Sequence, residues 1–136
     1  MTKEYSLCAE AIDQVSADVV ESLKKFNVGQ KEILRIRLST EECLEKYFNS
    51  FGEHVTVTVK CEKKFSEIRL LISVRCGRWD PFSDNGDDFD ILNKMLRELS
   101  VAPVWNYRGG SNVISFSIKS KKSEQRVLLE KNCLLN

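Results

Sequence analysis

Three groups of residues in this chain stand out as chemically capable. The first is the stretch SVRCGRWDPFSDNGDDFDIL, residues 73–92, in which an apolar alternation gives way to Gly77, Trp79, Asp80, Pro81 and a crowd of acids. It reads either as a ligand-binding loop or as a turn between a strand and a helix, with Pro81 fixing φ and Trp79 closing the core edge. The second is a helical run of polar residues. There Glu42, Glu45 and Asn49 read as solvated, and Lys46 as solvated or as a point charge able to grip a phosphate. The third is the set of five cysteines, Cys8, Cys43, Cys61, Cys76 and Cys133. Their number is odd, no two form a C-x-x-C pair, and each lies in an apolar pattern, so they read as small buried hydrophobes in a reducing compartment. With one histidine in the chain and no clustered ligands, no metal site is expected. The acids after Ser83 lack the alternating register of a calcium loop. Asp87 or Asp88 reads instead as the N-cap or first turn of a helix. Asn112, which comes after a diglycine, reads as serving its turn.

The composition narrows what such residues could act on. Lys and Arg number 21 against 20 for Asp and Glu, a net charge of +1, which argues against nucleic acid or an anionic membrane surface as partner. There is no run of 18 apolar residues to cross a bilayer. The N-terminus, MTKEYSLCAEAIDQ, has early acids and no apolar signal core, so a cytoplasmic location is expected. At 136 residues the chain suits one domain, able to bury about two-thirds of its unfolded surface without staples.

Periodicity predicts the elements around these residues. Cys8, Ile12, Val15, Val19, Leu23 and Phe26 predict an amphipathic helix over 4–26. NVGQ at 27–30 breaks it, with Gly29 expected as a left-handed cap. Ile33, Ile36, Thr40, Cys43, Leu44, Tyr47, Phe48 and Phe51 predict a second helix ending at Gly52. STEE at 39–42 could be a capping box that restarts it, but the stripe runs through and favours continuity. Val55, Val57, Val59 and Cys61 alternate with polar residues, as do Ile68, Leu70, Ile72, Val74 and Cys76, which predicts an antiparallel hairpin turned at KKFS. Phe89, Leu92, Met95, Leu96 and Leu99 predict a third helix. Trp105 and Tyr107, then Ile114, Phe116 and Ile118, predict a second hairpin around Gly109–Gly110. The apolar end, VLLEKNCLLN, is a closing element or the start of something that continues in a longer protein.

This order of elements, with LSTEECLEKYFNSFGE followed by LLISVRCGRWDPFSD, resembles the histidine-kinase-like ATPases of the Bergerat (GHKL) fold, nearest their anti-sigma serine-kinase branch. That family carries E-x-x-x-N on a helix, then a strand ending in D-x-G-x-G or D-x-G-x-x-F-D/N-P. The likeness spans roughly residues 30–118. GRWDPF is similar to the second form, with Trp79 as the aromatic residue and one residue fewer. The resemblance implies that Glu42 stands where the family's glutamate activates the attacking water. It sets Lys46 where the asparagine ligates Mg²⁺, although an ammonium has donors only and cannot ligate a cation. Glu45 and Asn49 fit E-x-x-x-N literally, in a later register. The strand-end aspartate, which accepts from the adenine amino group, is matched by Arg75, and a buried donor left unpaired costs about 1–3 kcal/mol. Gly77 matches the first glycine, with Trp79 and Asp80 completing the box. The second glycine box reads NGDDFDIL and puts Asp87 and Asp88 where phosphate would sit, like charge against like charge.

The expected fold is therefore α+β, a two-layer sandwich with helices on one face of a mainly antiparallel sheet. Residues 1–28 are expected to form an N-terminal amphipathic helix, 29–118 a histidine-kinase-like ATPase domain, and 119–136 a polar and then apolar tail. The resemblance and its departures imply a non-catalytic domain with a regulatory or protein-interaction role in a bacterial-type cytosol. On that reading no cofactor is expected, and Lys46, Arg75, Gly77, Trp79 and Asp80 form a vestigial nucleotide site. The alternative is an ATP-binding anti-sigma-type serine kinase, with Mg-ATP as cofactor and Glu42 catalytic. The expected partner is a protein, with a symmetric homodimer through residues 4–26 and the tail weighed against a first helix that covers the domain's own sheet.

Overall fold

Strict alternation needs a partner strand to become a sheet, and the middle of the chain supplies one within a few residues. The computed structural model describes residues 1–83 and 102–119, together with Lys94 and Arg97. In chain order these form β1 (Thr2–Ser6), α1 (Ala9–Lys25), α2 (Gln30–Phe51), β2 (Thr56–Lys64), β3 (Glu67–Arg75), β4 (Val104–Arg108) and β5 (Ser111–Lys119). The five strands make one sheet in the order β1-β2-β3-β5-β4, antiparallel at every seam. The β2–β3 hairpin closes with Lys64 opposite Glu67, so KKFS turns the chain through two residues, Phe65 at φ +60° and Ser66. The β4–β5 hairpin closes through Gly109 and Gly110, both at positive φ (61° and 78°), the conformation a two-residue hairpin turn demands and glycine adopts at no steric cost.

Both helices lie on one face of this sheet, giving the expected α+β two-layer arrangement. Val15, Val19 and Leu23 of α1 and Ile36, Leu44 and Tyr47 of α2 are buried in one core. Val57 and Val59 of β2, Ile68, Leu70 and Ile72 of β3, and Phe116 of β5 complete it. The α2 stripe runs unbroken through STEE, and Ser39, weighed as a cap, is instead a buried mid-helix residue. Gly52 ends α2 at φ +80°, its N–H bonded to Phe48 O at 2.8 Å. No described helix is long and apolar enough to cross a membrane.

Three expectations are corrected. The first helix does not begin near residue 4. Thr2–Ser6 is a strand paired with β2, and α1 starts after Cys8, whose sulfur accepts from Ala11 N–H at 3.4 Å. The Met1 carbonyl and amine clasp Cys61 at 2.9 Å each, so an edge 60 residues away decides what the first residues become. Gly29 is not the left-handed cap. Asn27 takes that conformation at φ 59°, with Asn27 N–H bonded to Lys24 O and Val28 N–H to Leu23 O, a Schellman ending sealed by the buried pair Leu23 and Val28. Finally, the α1 stripe is spent on the chain's own core, with Val19 and Leu23 at 0% exposure. Residues 1–28 therefore share one core with α2 and the sheet, and the stripe is not a surface for a homodimer. Residues 120–136, including the apolar tail, lie outside the described residues, as does the expected third helix apart from Lys94 and Arg97, which are helical.

Candidate functional site

The alternation of β3 decides which side of the sheet its end presents. Ile68, Leu70, Ile72 and Val74 face the helices and are buried, while Glu67, Arg69 and Arg75 point the other way and are exposed. The chain then bends through Cys76 and Gly77 into the GRWDPF loop. Cys76 and Trp79 pack against the helix-side core. Arg75, which the resemblance sets at the adenine-facing position, therefore lies on the outward face, and Cys76 occupies the inward side.

The loop is tied down at two points. From α2, the Tyr47 hydroxyl donates to Trp79 O at 2.8 Å. From β5, the Asn112 side-chain oxygen accepts from Trp79 N–H at 2.9 Å and from the Trp105 indole N–H at 3.1 Å. The Asn112 amide nitrogen donates to Gly77 O at 3.0 Å and toward Cys76 Sγ at 3.3 Å. Asn112 is fully buried, so its amide has exchanged water for these partners, and both ends of the group are satisfied. Asp80 adds a local turn, its carboxylate accepting from Phe82 N–H at 2.9 Å.

Aromatic packing closes what remains. The Trp79 ring meets Tyr47 edge-on at 5.3 Å between centroids and Phe51 at 6.3 Å. Phe51 also lies 3.5 Å from where a Cβ on Gly77 would sit, an ordinary contact distance, so the glycine is not there to make room. Arg78 stacks its guanidinium over Trp105 at 5.5 Å. Burial pushes the Tyr47 hydroxyl and the Cys43 thiol one helical turn before it far above their usual ranges, so both stay protonated and neither is a ready nucleophile. Burial raises Cys76 as well, with the Asn112 amide pulling the other way.

The residues singled out in the sequence thus fall into two sets. Gly77, Trp79 and Asp80 come together at the strand end, facing the α2 turn that carries Lys46. Lys46 and Asp80 both lie close enough to Cys43 to bias its thiol, in opposite senses. Glu42 is on the same helix, exposed, as are Glu45 and Asn49. Asp84, Asp87 and Asp88 lie outside the described residues. No group of three His, Cys, Asp or Glu able to hold a metal occurs among the described residues. Cys43 and Cys61 are buried, as expected of small hydrophobes, whereas Cys8 and Cys76 are half-buried and hydrogen-bonded, and Cys133 lies outside the described residues. Asn112, read as a turn residue, is the hub that sequence reasoning missed. Its signal was parity, since it shares the inward face of β5 with Ile114, Phe116 and Ile118, where a polar residue needs a reason.

No family model matches the chain, and no curated protein matches its sequence. Solved structures do match its architecture. The nucleotide-free catalytic domain of histidine kinase ThkA aligns with a TM-score of 0.54 at 17% identity, over 88% of this chain and 96% of that one. Histidine kinase ThkA in complex with the response regulator protein TrrA aligns at 0.56 and 16%, over 88% of this chain and 42% of that one. Acinetobacter baumannii histidine kinase AdeS aligns at 0.53 and 9%, over 88% and 68%. Their likeness to the chain is one of architecture: the described residues form two helices on a five-stranded antiparallel sheet, an arrangement that aligns with a histidine-kinase catalytic domain.

Proposed function

We propose that this is a histidine-kinase-like ATPase domain whose nucleotide loop has become structural, and that it works in the cytosol as a non-catalytic, regulatory or protein-interacting module. The observation that carries the reading is the strand-end loop, which is held by side chains from α2 and β5. Tyr47 and Asn112 bind its backbone, and the Trp79 ring lies against Tyr47 and Phe51. Lys46 in place of a metal-ligating residue, and an outward-facing Arg75, support it further. Lys46, Gly77, Trp79 and Asp80 are then the remnant of a nucleotide site. The ThkA–TrrA complex is a precedent for this fold in a protein whose work includes contact with another protein.

Thermal unfolding with and without millimolar Mg-ATP tests the reading, with no shift expected. A ligand at 100 times its Kd stabilises by about 2.7 kcal/mol, which is several degrees in a domain of this size. A rise of that size would replace the reading with the ATP-binding alternative, an anti-sigma-type serine kinase with Glu42 as its base.

A further inference from the structure

The inner stripe of α1 is buried, but its outer face carries a second pattern. Asp13, Ala17, Val20 and Lys24 follow one another at spacings of four, three and four, one row along the helix, and line an open groove with Arg37 and Glu41 of α2. Leu34 and Leu38 of α2, one turn apart, precede Glu41 and are 49% and 37% exposed. The acid stands at the N-terminal end of the row, the lysine at the C-terminal end, and small or apolar residues between. The other charges at the groove are engaged within the chain. Glu41 accepts from the Ser16 hydroxyl at 2.6 Å and lies 3.9 Å from Arg37, and Glu21 pairs with Lys25 at 3.7 Å. Asp13 and Lys24 make no ion pair with any described residue.

We propose that this face docks the same face of a second copy of the chain, with the two α1 helices antiparallel about a twofold axis between Ala17 and Val20. A twofold contact requires a patch that complements itself, each residue meeting its symmetry mate's counterpart. This row does so in one register. Asp13 meets the partner's Lys24, Ala17 meets the partner's Val20, and the same two contacts repeat on the far side of the axis. Acid and lysine lie eleven positions apart, about 16 Å along a helix, so both ends engage at once. The alanine near the axis lets the helices approach closely, and closure covers Leu34 and Leu38, leaving a four-helix layer between the two sheets. A parallel pairing would set Asp13 against Asp13 and Lys24 against Lys24. The contact supplies a partner for the interaction role proposed above and rests on that role. Its test uses no nucleotide, so the two readings fail separately.

Sedimentation of the full chain from micromolar to submillimolar concentration, with circular dichroism to confirm folding, decides it. A monomer–dimer equilibrium is expected. Ala17→Arg should abolish the dimer. Asp13→Lys and Lys24→Asp alone should each weaken it by at least about tenfold, because every substitution acts twice across the axis. The combined D13K/K24D protein should recover the dimer, since the complementary ends are merely exchanged. A chain that stays monomeric throughout, a dimer indifferent to Ala17→Arg, or a double variant no better than the single ones would each overturn the proposal. All three positions are exposed, and each variant tests the contact by itself if another fails to fold.

Discussion

Replacing Asn112 with alanine should unlock the strand-end loop. The side chain satisfies two N–H donors, Trp79 backbone and Trp105 indole, and one acceptor, Gly77 O, at 2.9 to 3.1 Å. A buried polar group left without a partner costs about 1–3 kcal/mol. Both tryptophans are only half-buried and Gly77 is exposed, so water can reach part of what is freed, and the lower end of that range applies to each. Three groups at the lower end, about 1 kcal/mol each, give about 3 kcal/mol, a large share of the roughly 5–15 kcal/mol of a typical domain. Urea unfolding followed by tryptophan fluorescence is the natural assay, because the protein's two tryptophans, Trp79 and Trp105, are the two residues Asn112 joins. The emission of the folded state should also shift, since the loop carrying Trp79 loses its anchor on β5. Asn106→Ala, on an exposed position of β4, serves as control and should stay within about 0.5 kcal/mol. An Asn112→Ala protein within that same range, with unchanged emission, would refute the claim that this amide organises the loop.

Two further outcomes are expected elsewhere in the fold. Phe65 is 91% exposed and held at φ +60°, where a bulky side chain is strained, so Phe65→Gly should stabilise the β2–β3 hairpin by about 0.5–1 kcal/mol; a lower unfolding midpoint would contradict this. Burial raises the Cys43 thiol, so the unfolded chain ionises before the folded one does. Stability from this group is whole below the ordinary thiol range and is lost as pH rises through it, and Cys43→Ala should flatten the fall in urea midpoint between neutral and alkaline pH.

Much of the candidate site was visible in the chain as pieces and invisible as a site. Trp79 and Pro81 mark a turn, and the α2 stripe places Tyr47 inward, because both depend on local spacing. That the Tyr47 hydroxyl should reach Trp79 O is a contact across 32 residues, and Asn112 meets Trp79 across 33. No periodicity carries that information. Arg75 shows the converse. Its outward direction is readable from the alternation of β3, since Val74 before it faces the core, whereas a motif match carries no information about which face a residue takes.

Spacing between near neighbours was enough for the central elements. The alternation of Val57 to Cys61 and of Ile68 to Val74 set the central hairpin, the diglycine set its companion, and the three-four spacing of Val15, Val19 and Leu23 set the buried side of α1. Each is a choice between faces, fixed by which side chains leave water. It took the folded chain to make Thr2–Ser6 a strand, to cap α1 with Asn27 and not Gly29, and to turn Asn112 into the knot of the loop. In each case the deciding partner is a backbone or side-chain group that local spacing does not reveal. A buried polar group takes whichever partner the packing sets beside it.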